Sequence, residues 1–232
     1  MTLFNNRRLQ FVSIFLLILF LFAAISAEAQ DSKIPKYLPE GKVDGAALIG
    51  PPPAVGSPEF QTQMTIVMWL QTTRTPEQVA FVKTALNLNR FAPIIGDELF
   101  DVDGVVLRQT MAEIIKEVKN DYDPLKTNYD IPRPFVANEN IKPSMAEVNT
   151  VGSYPSGHAT RAVVYARILG EVFPDKKDEL MDLALQIGYG RAIAGVHYPM
   201  DVISGQKLGN AYADVIIEGP TFKEALIKIK GE

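Results

Sequence analysis

The sequence predicts an all-α fold, a single helical-bundle domain, from three observations. Hydrophobic residues recur with a helical period through most segments after residue 57. Valine, isoleucine and threonine nowhere alternate with polar residues over a run long enough to indicate a sheet. The chain of 232 residues is 47% hydrophobic and 22% charged, which is typical of one globular domain that needs neither a disulfide nor a metal to hold its core.

The first 29 residues have the pattern of a secretory signal peptide. Arg7 and Arg8 precede an apolar stretch from about Phe11 to Ala24, and Ala27-Glu28-Ala29 forms an A-x-A cleavage site. An uncleaved membrane anchor is the alternative, but the apolar stretch is short and small residues follow it. We therefore expect residues 1–29 to be removed, the mature chain to lie in a bacterial periplasm, and no membrane association after cleavage.

The predicted domain covers residues 30–232 and begins with a proline-rich arm. Residues 30–57, which include Pro51-Pro52-Pro53, suit an extended arm on the domain surface. Thr75 before Pro76 is a helix start with proline at the first helical position. Helical periodicity and such start signals predict helices near residues 58–72, 76–89, 104–121, 159–173, 176–195, 199–216 and 220–230.

Composition excludes several kinds of site. The chain has no cysteine, which removes thiolate zinc sites, iron–sulfur clusters and thiol nucleophiles. It has only two histidines, His158 and His197, so any imidazole chemistry must use them. A formal net charge of -4 argues against nucleic-acid partners, whereas a few converging cations would still suit a small anion. We predict no metal and no cofactor.

Two cations lie seven residues apart in the first candidate stretch. Lys126 and Arg133 flank a segment that ends in Arg133-Pro134 and that we expect to be stiffened by proline and non-helical. Taken alone, a lysine and an arginine on a loop are usually solvated.

The second stretch is Gly152-Ser-Tyr-Pro-Ser-Gly-His158, which runs directly into the predicted helix 159–173. Small residues at a helix N-terminus leave backbone N–H groups free to bind an anion. The alternative is a plain helix capped by Ser156, with His158 in its first turn.

The third stretch contains Arg191, His197 and Asp201. Pro199 disfavours helical geometry at the preceding residue, so we expect His197 at a corner between two helices and Asp201 in the first turn of the second. That carboxylate could accept a hydrogen bond from one imidazole nitrogen and leave the other as an unprotonated nucleophile. A structural histidine at a helix junction is the alternative.

Together the three stretches predict phosphoryl transfer through a phosphohistidine. Lys126, Arg133 and Arg191 would neutralise the three equatorial oxygens of the transferring group. His197 would attack phosphorus, and His158 would protonate the leaving oxygen.

The ordered pattern K-x6-RP, PSGH and R-x5-H-x3-D resembles the signature of the type 2 phosphatidic acid phosphatase superfamily, which includes the vanadium-dependent haloperoxidases. Within it the chain is most similar to the bacterial class A non-specific acid phosphatases, which are exported, all-helical and metal-independent. The resemblance implies small-molecule phosphate esters as substrates and a homodimer. It also implies site roles: phosphate binding by Lys126, Arg133, Ser156, Gly157 and Arg191, acid catalysis by His158, nucleophilic attack by His197 and orientation by Asp201.

The chain departs from this family pattern at two positions. Gly190 stands where the family usually has serine, and Ala159 stands where class A enzymes commonly have threonine. The expected function is an exported acid phosphatase acting on phosphate monoesters. The alternatives are a lipid-phosphate or diphosphate phosphatase of the same superfamily, a vanadate-dependent haloperoxidase and a non-catalytic phosphate binder.

Overall fold

The computed structural model describes residues 37–96, 104–146 and 152–231. Within these ranges the secondary structure consists of helices and connecting turns, which confirms the all-α prediction. The predicted signal peptide and the first seven residues of the predicted arm lie outside the described residues.

In chain order, the α-helices of the described ranges are α1 (Gly45–Ile49), α2 (Pro58–Thr73), α3 (Pro76–Lys83), α4 (Ala92–Ile95), α5 (Gly104–Tyr129), α6 (Pro134–Ala137), α7 (Gly157–Val172), α8 (Lys177–Ile193), α9 (Pro199–Glu218) and α10 (Pro220–Lys230). Short 3-10 helices at Leu88–Phe91 and Pro174–Lys176 precede α4 and α8.

Helix starts follow the capping signals of the sequence. The Ser57 hydroxyl accepts from the N–H of Phe60 at the start of α2, and Thr75 forms a capping box with Gln78 at the start of α3. Proline takes one of the first two positions in both helices, where its missing N–H costs no hydrogen bond. These local signals explain why the predicted starts at residues 58 and 76 are confirmed.

Helix α7 is the centre of the domain, buried around nearly all of its circumference and packed against α8 and α9. Two glycines of α9 allow backbone contact with α7. A Cβ at Gly205 would lie 2.5 Å from the carbonyl oxygen of Ser156, and one at Gly209 would lie 2.6 Å from that of Thr160. This close approach fixes the first turn of α7 relative to α9.

Helix α2 packs beside the turn that precedes α9. The rings of Phe60 and Tyr198 lie 5.0 Å apart, and the side-chain oxygen of Gln63 accepts from the N–H of Met200 at 2.9 Å. The start of α9 is therefore held from both sides, by α2 and by α7.

The prediction that the segment from Lys126 to Arg133 is non-helical is wrong for residues 126–129 and confirmed for residues 130–133. Helix α5 continues through Pro124 to Tyr129 and ends where Asp130 takes a left-handed conformation with φ of 48°. Tyr122 is buried and Leu125 packs against the core, so tertiary packing on both sides of Pro124 holds the helix across the proline.

One helix end and the conformation of the N-terminal arm also differ from the sequence prediction. The helix predicted over 76–89 ends at Lys83, because Arg90 donates to the carbonyl oxygen of Phe81 at 2.7 Å and closes the helix end. The arm is not wholly extended, since Asp44 caps the short helix α1 within it. Its residue Tyr37 is buried, and its N–H donates to Glu117 of α5 at 2.7 Å.

Candidate active site

A cavity of about 510 Å³ opens where the C-terminal end of α5, the first turn of α7 and the last turn of α8 meet. Six of the eight residues predicted for the site line it: Lys126, Arg133, Gly157, His158, Arg191 and His197. Asp201 and Ser156 lie behind the cavity wall, the first against His197 and the second at the start of α7.

His197 lies in the turn between α8 and α9, as predicted, and is almost wholly buried. Its Nδ1 is 3.1 Å from Oδ2 of Asp201, and its Nε2 is 2.8 Å from Nη1 of Arg133. A guanidinium only donates and an ionised carboxylate only accepts, so Nδ1 carries the proton and Nε2 presents a lone pair. Burial, and then the nearby Arg133, Lys126 and Arg191, hold the pKa of His197 well below its ordinary value.

Asp201 is the third residue of α9 and is fully buried. Its Oδ2 also accepts from the hydroxyl of Ser153 at 2.6 Å and from the N–H of Tyr198 at 2.9 Å. Burial raises the pKa of Asp201 to about 6, while these two hydrogen bonds act in the opposite direction. The carboxylate is thus held in one position against His197.

Sequence reasoning missed Ser153, although it lies inside the second motif. Its backbone N–H donates to Ile131 at 2.9 Å, which joins the motif to the loop before Arg133. A hydroxyl close to a predicted helix start was the available signal, and it gave no indication of a partner 48 residues away.

Arg133 is the residue before α6 and is buried. Its Nη1 donates to the carbonyl oxygen of Val196 at 2.8 Å and faces His197. Lys126, in the last turn of α5, donates from Nζ to the carbonyl oxygens of Gly152 and Pro155. Burial and the neighbouring Arg133 lower the pKa of Lys126 to about 8, so the ammonium is still charged at neutral and acidic pH.

Arg191, in the last turn of α8, is the third cation at the cavity. It is buried, and its Nη1 lies 2.8 Å from the sulfur of Met145. A thioether is a weak, uncharged acceptor, so this contact does not neutralise the guanidinium charge.

His158 occupies the first turn of α7 and faces the same cavity. Burial, followed by Arg191 and Arg161, lowers the pKa of His158 to about 2, so the imidazole is neutral in the ligand-free protein. A bound phosphate dianion would offset the surrounding cations and raise this pKa.

Ser156 caps α7, which matches the alternative interpretation of its motif. Its hydroxyl accepts from the N–H of Ala159 at 3.4 Å, and its own N–H donates to the carbonyl oxygen of Asp201 at 2.9 Å. The hydroxyl is wholly buried and does not line the cavity, so direct phosphate binding by Ser156 stays a prediction.

Gly157 lines the cavity at the N-terminus of α7, where the first backbone N–H groups have no acceptor within the helix. A Cβ at this position would lie 2.6 Å from the hydroxyl oxygen of Tyr122. Glycine therefore allows both close packing on Tyr122 and access of an anion to the helix terminus.

The two departures from the family pattern are explained by packing. A Cβ at Gly190 would lie 2.8 Å from Cγ1 of Val82, so this position faces α3 rather than the cavity. Ala159 is fully buried, and its methyl group would lie 3.0 Å from a Cβ at Gly205. Position 159 therefore lies in the interior, against Gly205 of α9.

Neither a metal-binding cluster nor a membrane-spanning helix is found in the described part of the chain. No group of three or more His, Cys, Asp or Glu side chains there is arranged to hold a metal ion. None of the helices described is both long enough and apolar enough to span a bilayer.

Known proteins resemble the chain in both sequence and fold. Non-specific acid phosphatases of Providencia stuartii and Salmonella typhi are 27% and 25% identical to it, over 82% and 85% of the chain and 81% and 83% of those proteins. The fold is similar to that of a transmembrane PAP2-type phosphatidylglycerolphosphate phosphatase from Bacillus subtilis, with a TM-score of 0.54 and 19% identity over 75% of this chain and 90% of that one.

The family model for the PAP2 superfamily matches residues 106–221. This range contains all three motifs and every residue predicted for the site. The resemblance to the acid phosphatases inferred from those motifs is confirmed by the two curated relatives. The chain belongs to the PAP2 superfamily.

Proposed function

We propose that this protein is an acid phosphatase that hydrolyses phosphate monoesters through a phosphohistidine on His197. The observation that supports this most is the pairing of His197 Nδ1 with Asp201 Oδ2 at 3.1 Å while Nε2 faces a cavity lined by Lys126, Arg133 and Arg191. Its acid phosphatase relatives support the same reaction class, phosphoric monoester hydrolysis.

In the first step, the ester phosphate binds among the three cations and the first N–H groups of α7. Arg133 then exchanges its contact with Nε2 of His197 for a phosphate oxygen, which frees the lone pair. Nε2 forms a bond to phosphorus, the bond to the ester oxygen breaks, and His158 gives that oxygen a proton.

In the second step, His158 takes a proton from water, and the resulting hydroxide displaces His197 from phosphorus. Inorganic phosphate leaves and Nε2 regains its lone pair. The positive charge that His197 acquires while it carries phosphate is stabilised by Asp201 at 3.1 Å. The three cations supply the charge neutralisation, so the reaction is proposed to need no metal.

A p-nitrophenyl phosphate assay in EDTA, from acidic to alkaline pH, tests the proposal on the wild type, His197→Ala and His158→Ala. We expect an acidic optimum and chelator-resistant turnover that both substitutions reduce strongly. Complete loss in EDTA, restored by a divalent ion, would contradict the metal-free mechanism. No turnover by a folded wild type would favour a lipid substrate, the vanadate enzyme or a phosphate binder instead.

Trapping the intermediate distinguishes the role proposed for His197 from that proposed for His158. With ³²P-labelled substrate and an alkaline quench, the wild type should carry label that is lost in acid, as expected of a phosphohistidine. His197→Ala should carry none. His158→Ala should accumulate label, because p-nitrophenolate leaves without a proton while hydrolysis of the phosphoenzyme loses its base. Label retained by His197→Ala would assign the nucleophile elsewhere.

We also propose that the protein is exported to the periplasm after cleavage following Ala29. The basic, apolar and A-x-A regions of residues 1–29 support this. Sequencing the N-terminus of protein from a periplasmic extract tests it. A chain beginning at Gln30 is expected, and retention of Met1 in the cytoplasmic fraction would contradict it.

A further inference from the structure

Arg161 lies in the wall of the cavity, and none of the three motifs includes it. It follows His158 by three residues on α7, so the two side chains project from neighbouring positions of one helix face. This spacing on a predicted helix was a signal that sequence reasoning missed.

One hydrogen bond fixes the position of the Arg161 side chain, from its Nε to the carbonyl oxygen of Gly157 at 3.1 Å. The guanidinium also acts on the Tyr122 hydroxyl, whose pKa it lowers against the larger effect of burial. Both neighbours are neutral, and the ion pairs between described residues do not include this guanidinium. The side chain is only partly buried, so its remaining donors are accessible from the cavity.

Arg161 acts on the end of the site where His158 lies. It lowers the pKa of His158 more strongly than Arg133 or Lys126 does. Arg161 is not among the charges that lower the pKa of His197 most, which are Arg133, Lys126, Arg191 and His158. Attacking and leaving atoms lie on opposite sides of phosphorus in phosphoryl transfer. A charge beside His158 therefore faces the leaving group, because His158 is the residue proposed to protonate it.

Among the other charges beside this part of the cavity, Lys119 and Asp123 offset each other, with Nζ 3.7 Å from Oδ2. Asp130 is an exposed acid at the rim. Among the described residues, Arg161 is therefore the cation of this wall that can bind a second anionic group two or three bonds beyond the reacting phosphorus.

We propose that Arg161 selects substrates whose leaving group carries its own negative charge, with phosphoanhydrides such as inorganic pyrophosphate as the simplest class. The proposal rests on the phosphatase function above. His197 would bond to one phosphorus, the bridging P–O bond would break, and the bridging oxygen would leave with the second phosphate and a proton from His158. Water then releases the first phosphate, while the guanidinium binds the leaving phosphate by charge-assisted hydrogen bonds.

The test compares kcat/KM for inorganic pyrophosphate with kcat/KM for phenyl phosphate, whose leaving group is neutral phenol. The ratio of the two values is measured for the wild type, Arg161→Gln, Arg161→Lys and Arg167→Gln. Arg167 is a matched control on the same helix, bonded to Asn210 and Asp214 away from the cavity. Melting temperatures establish that each variant is folded.

Arg161→Gln should lower the ratio by about tenfold to 100-fold, the effect of losing a charge-assisted hydrogen bond. Arg161→Lys should give an intermediate ratio, and Arg167→Gln should leave the ratio of the wild type. Equal losses on both substrates in Arg161→Gln would overturn the inference while leaving the phosphatase function intact. Failure of the wild type to hydrolyse phenyl phosphate would instead refute the proposed function.

An inhibition measurement on the wild type needs no variant. Methylenediphosphonate, which cannot be hydrolysed, should inhibit phenyl phosphate hydrolysis at least tenfold more strongly than methylphosphonate, which lacks the second anionic group. Equal inhibition by the two compounds would overturn the inference.

Discussion

Replacing Gly205 with alanine places a methyl group where α9 contacts the backbone of α7. The new Cβ would lie 2.5 Å from the Ser156 carbonyl oxygen, whereas ordinary van der Waals contact begins at 3.4 Å. The three nearest atoms are the Ser156 carbonyl oxygen, the Ala159 Cβ and the Thr160 backbone nitrogen. None of them is the end of a flexible side chain, so the two helices must separate locally by about 1 Å. This separation falls at the hydrogen bond from Ser156 N–H to Asp201 and one turn or less from His158.

The expected loss of stability is the difference between two effects. Overpacking costs about 1–3 kcal/mol, and alanine gains about 1 kcal/mol over glycine in helix propensity. A net loss of up to about 2 kcal/mol corresponds to a fall in Tm of up to about 4–8 °C for a domain of this size. A shift of 1 Å at the catalytic residues should lower kcat/KM by about 100-fold in the folded protein.

Thermal unfolding and p-nitrophenyl phosphate kinetics measure both effects. Gly170→Ala is the matched control, because the three atoms nearest its Cβ all belong to the flexible Lys177 side chain. This control should be at least as stable and as active as the wild type. If Gly205→Ala melts no lower than the wild type and keeps kcat/KM within twofold of it, the helices do not approach each other as closely as described.

Three other substitutions test other parts of the site. Asp201→Asn should lower kcat by about 100-fold to 10,000-fold without unfolding the protein, because an amide cannot hold the His197 tautomer; steady-state kinetics would contradict this if kcat stayed within tenfold of the wild type. Gly190→Ser should cost about 1–3 kcal/mol by overpacking against Val82. Urea unfolding measures that cost, and unchanged stability would show that Val82 moves freely. The third prediction concerns acid stability, because the pKa of His158 is lowered to about 2 in the ligand-free protein. Below pH 6.5 the unfolded chain binds a proton that the folded one does not, so stability falls with pH by up to about 1.4 kcal/mol per unit for this group. His158→Gln should therefore show a shallower loss between pH 6 and pH 4 in urea unfolding. Equal slopes would contradict the depressed pKa.

The ordered motifs predicted the positions of the site residues better than their contacts. Residue type and spacing were enough to indicate that three cations and two histidines would converge, since that combination suits phosphoryl transfer through a phosphohistidine. The corner at His197 also followed from local chemistry, because proline at position 199 restricts the residue before it. The hydrogen bond between Ser153 and Asp201 spans 48 residues, and no local pattern indicates such a pairing.

The errors share one physical cause, which is tertiary packing that overrides a local preference. Pro124 favours a helix end, yet the buried contacts of Tyr122 and Leu125 carry α5 on to Tyr129. Helix α3 ends early because a side chain from outside it, Arg90, satisfies one of its carbonyl groups. Sequence periodicity reports which face is buried and gives little information about a partner that lies elsewhere in the chain.

The hydrogen bonds that join Ser156 to Asp201 and Arg133 to Val196 connect segments 45 and 63 residues apart. Local helices form within microseconds, whereas contacts of this separation must wait until long loops close. During refolding, the far-ultraviolet helix signal should therefore return before any catalytic turnover. A nascent chain that lacks residues 199–218 has neither an oriented nucleophile nor an anchored second motif, so turnover reports that the final long helices have docked.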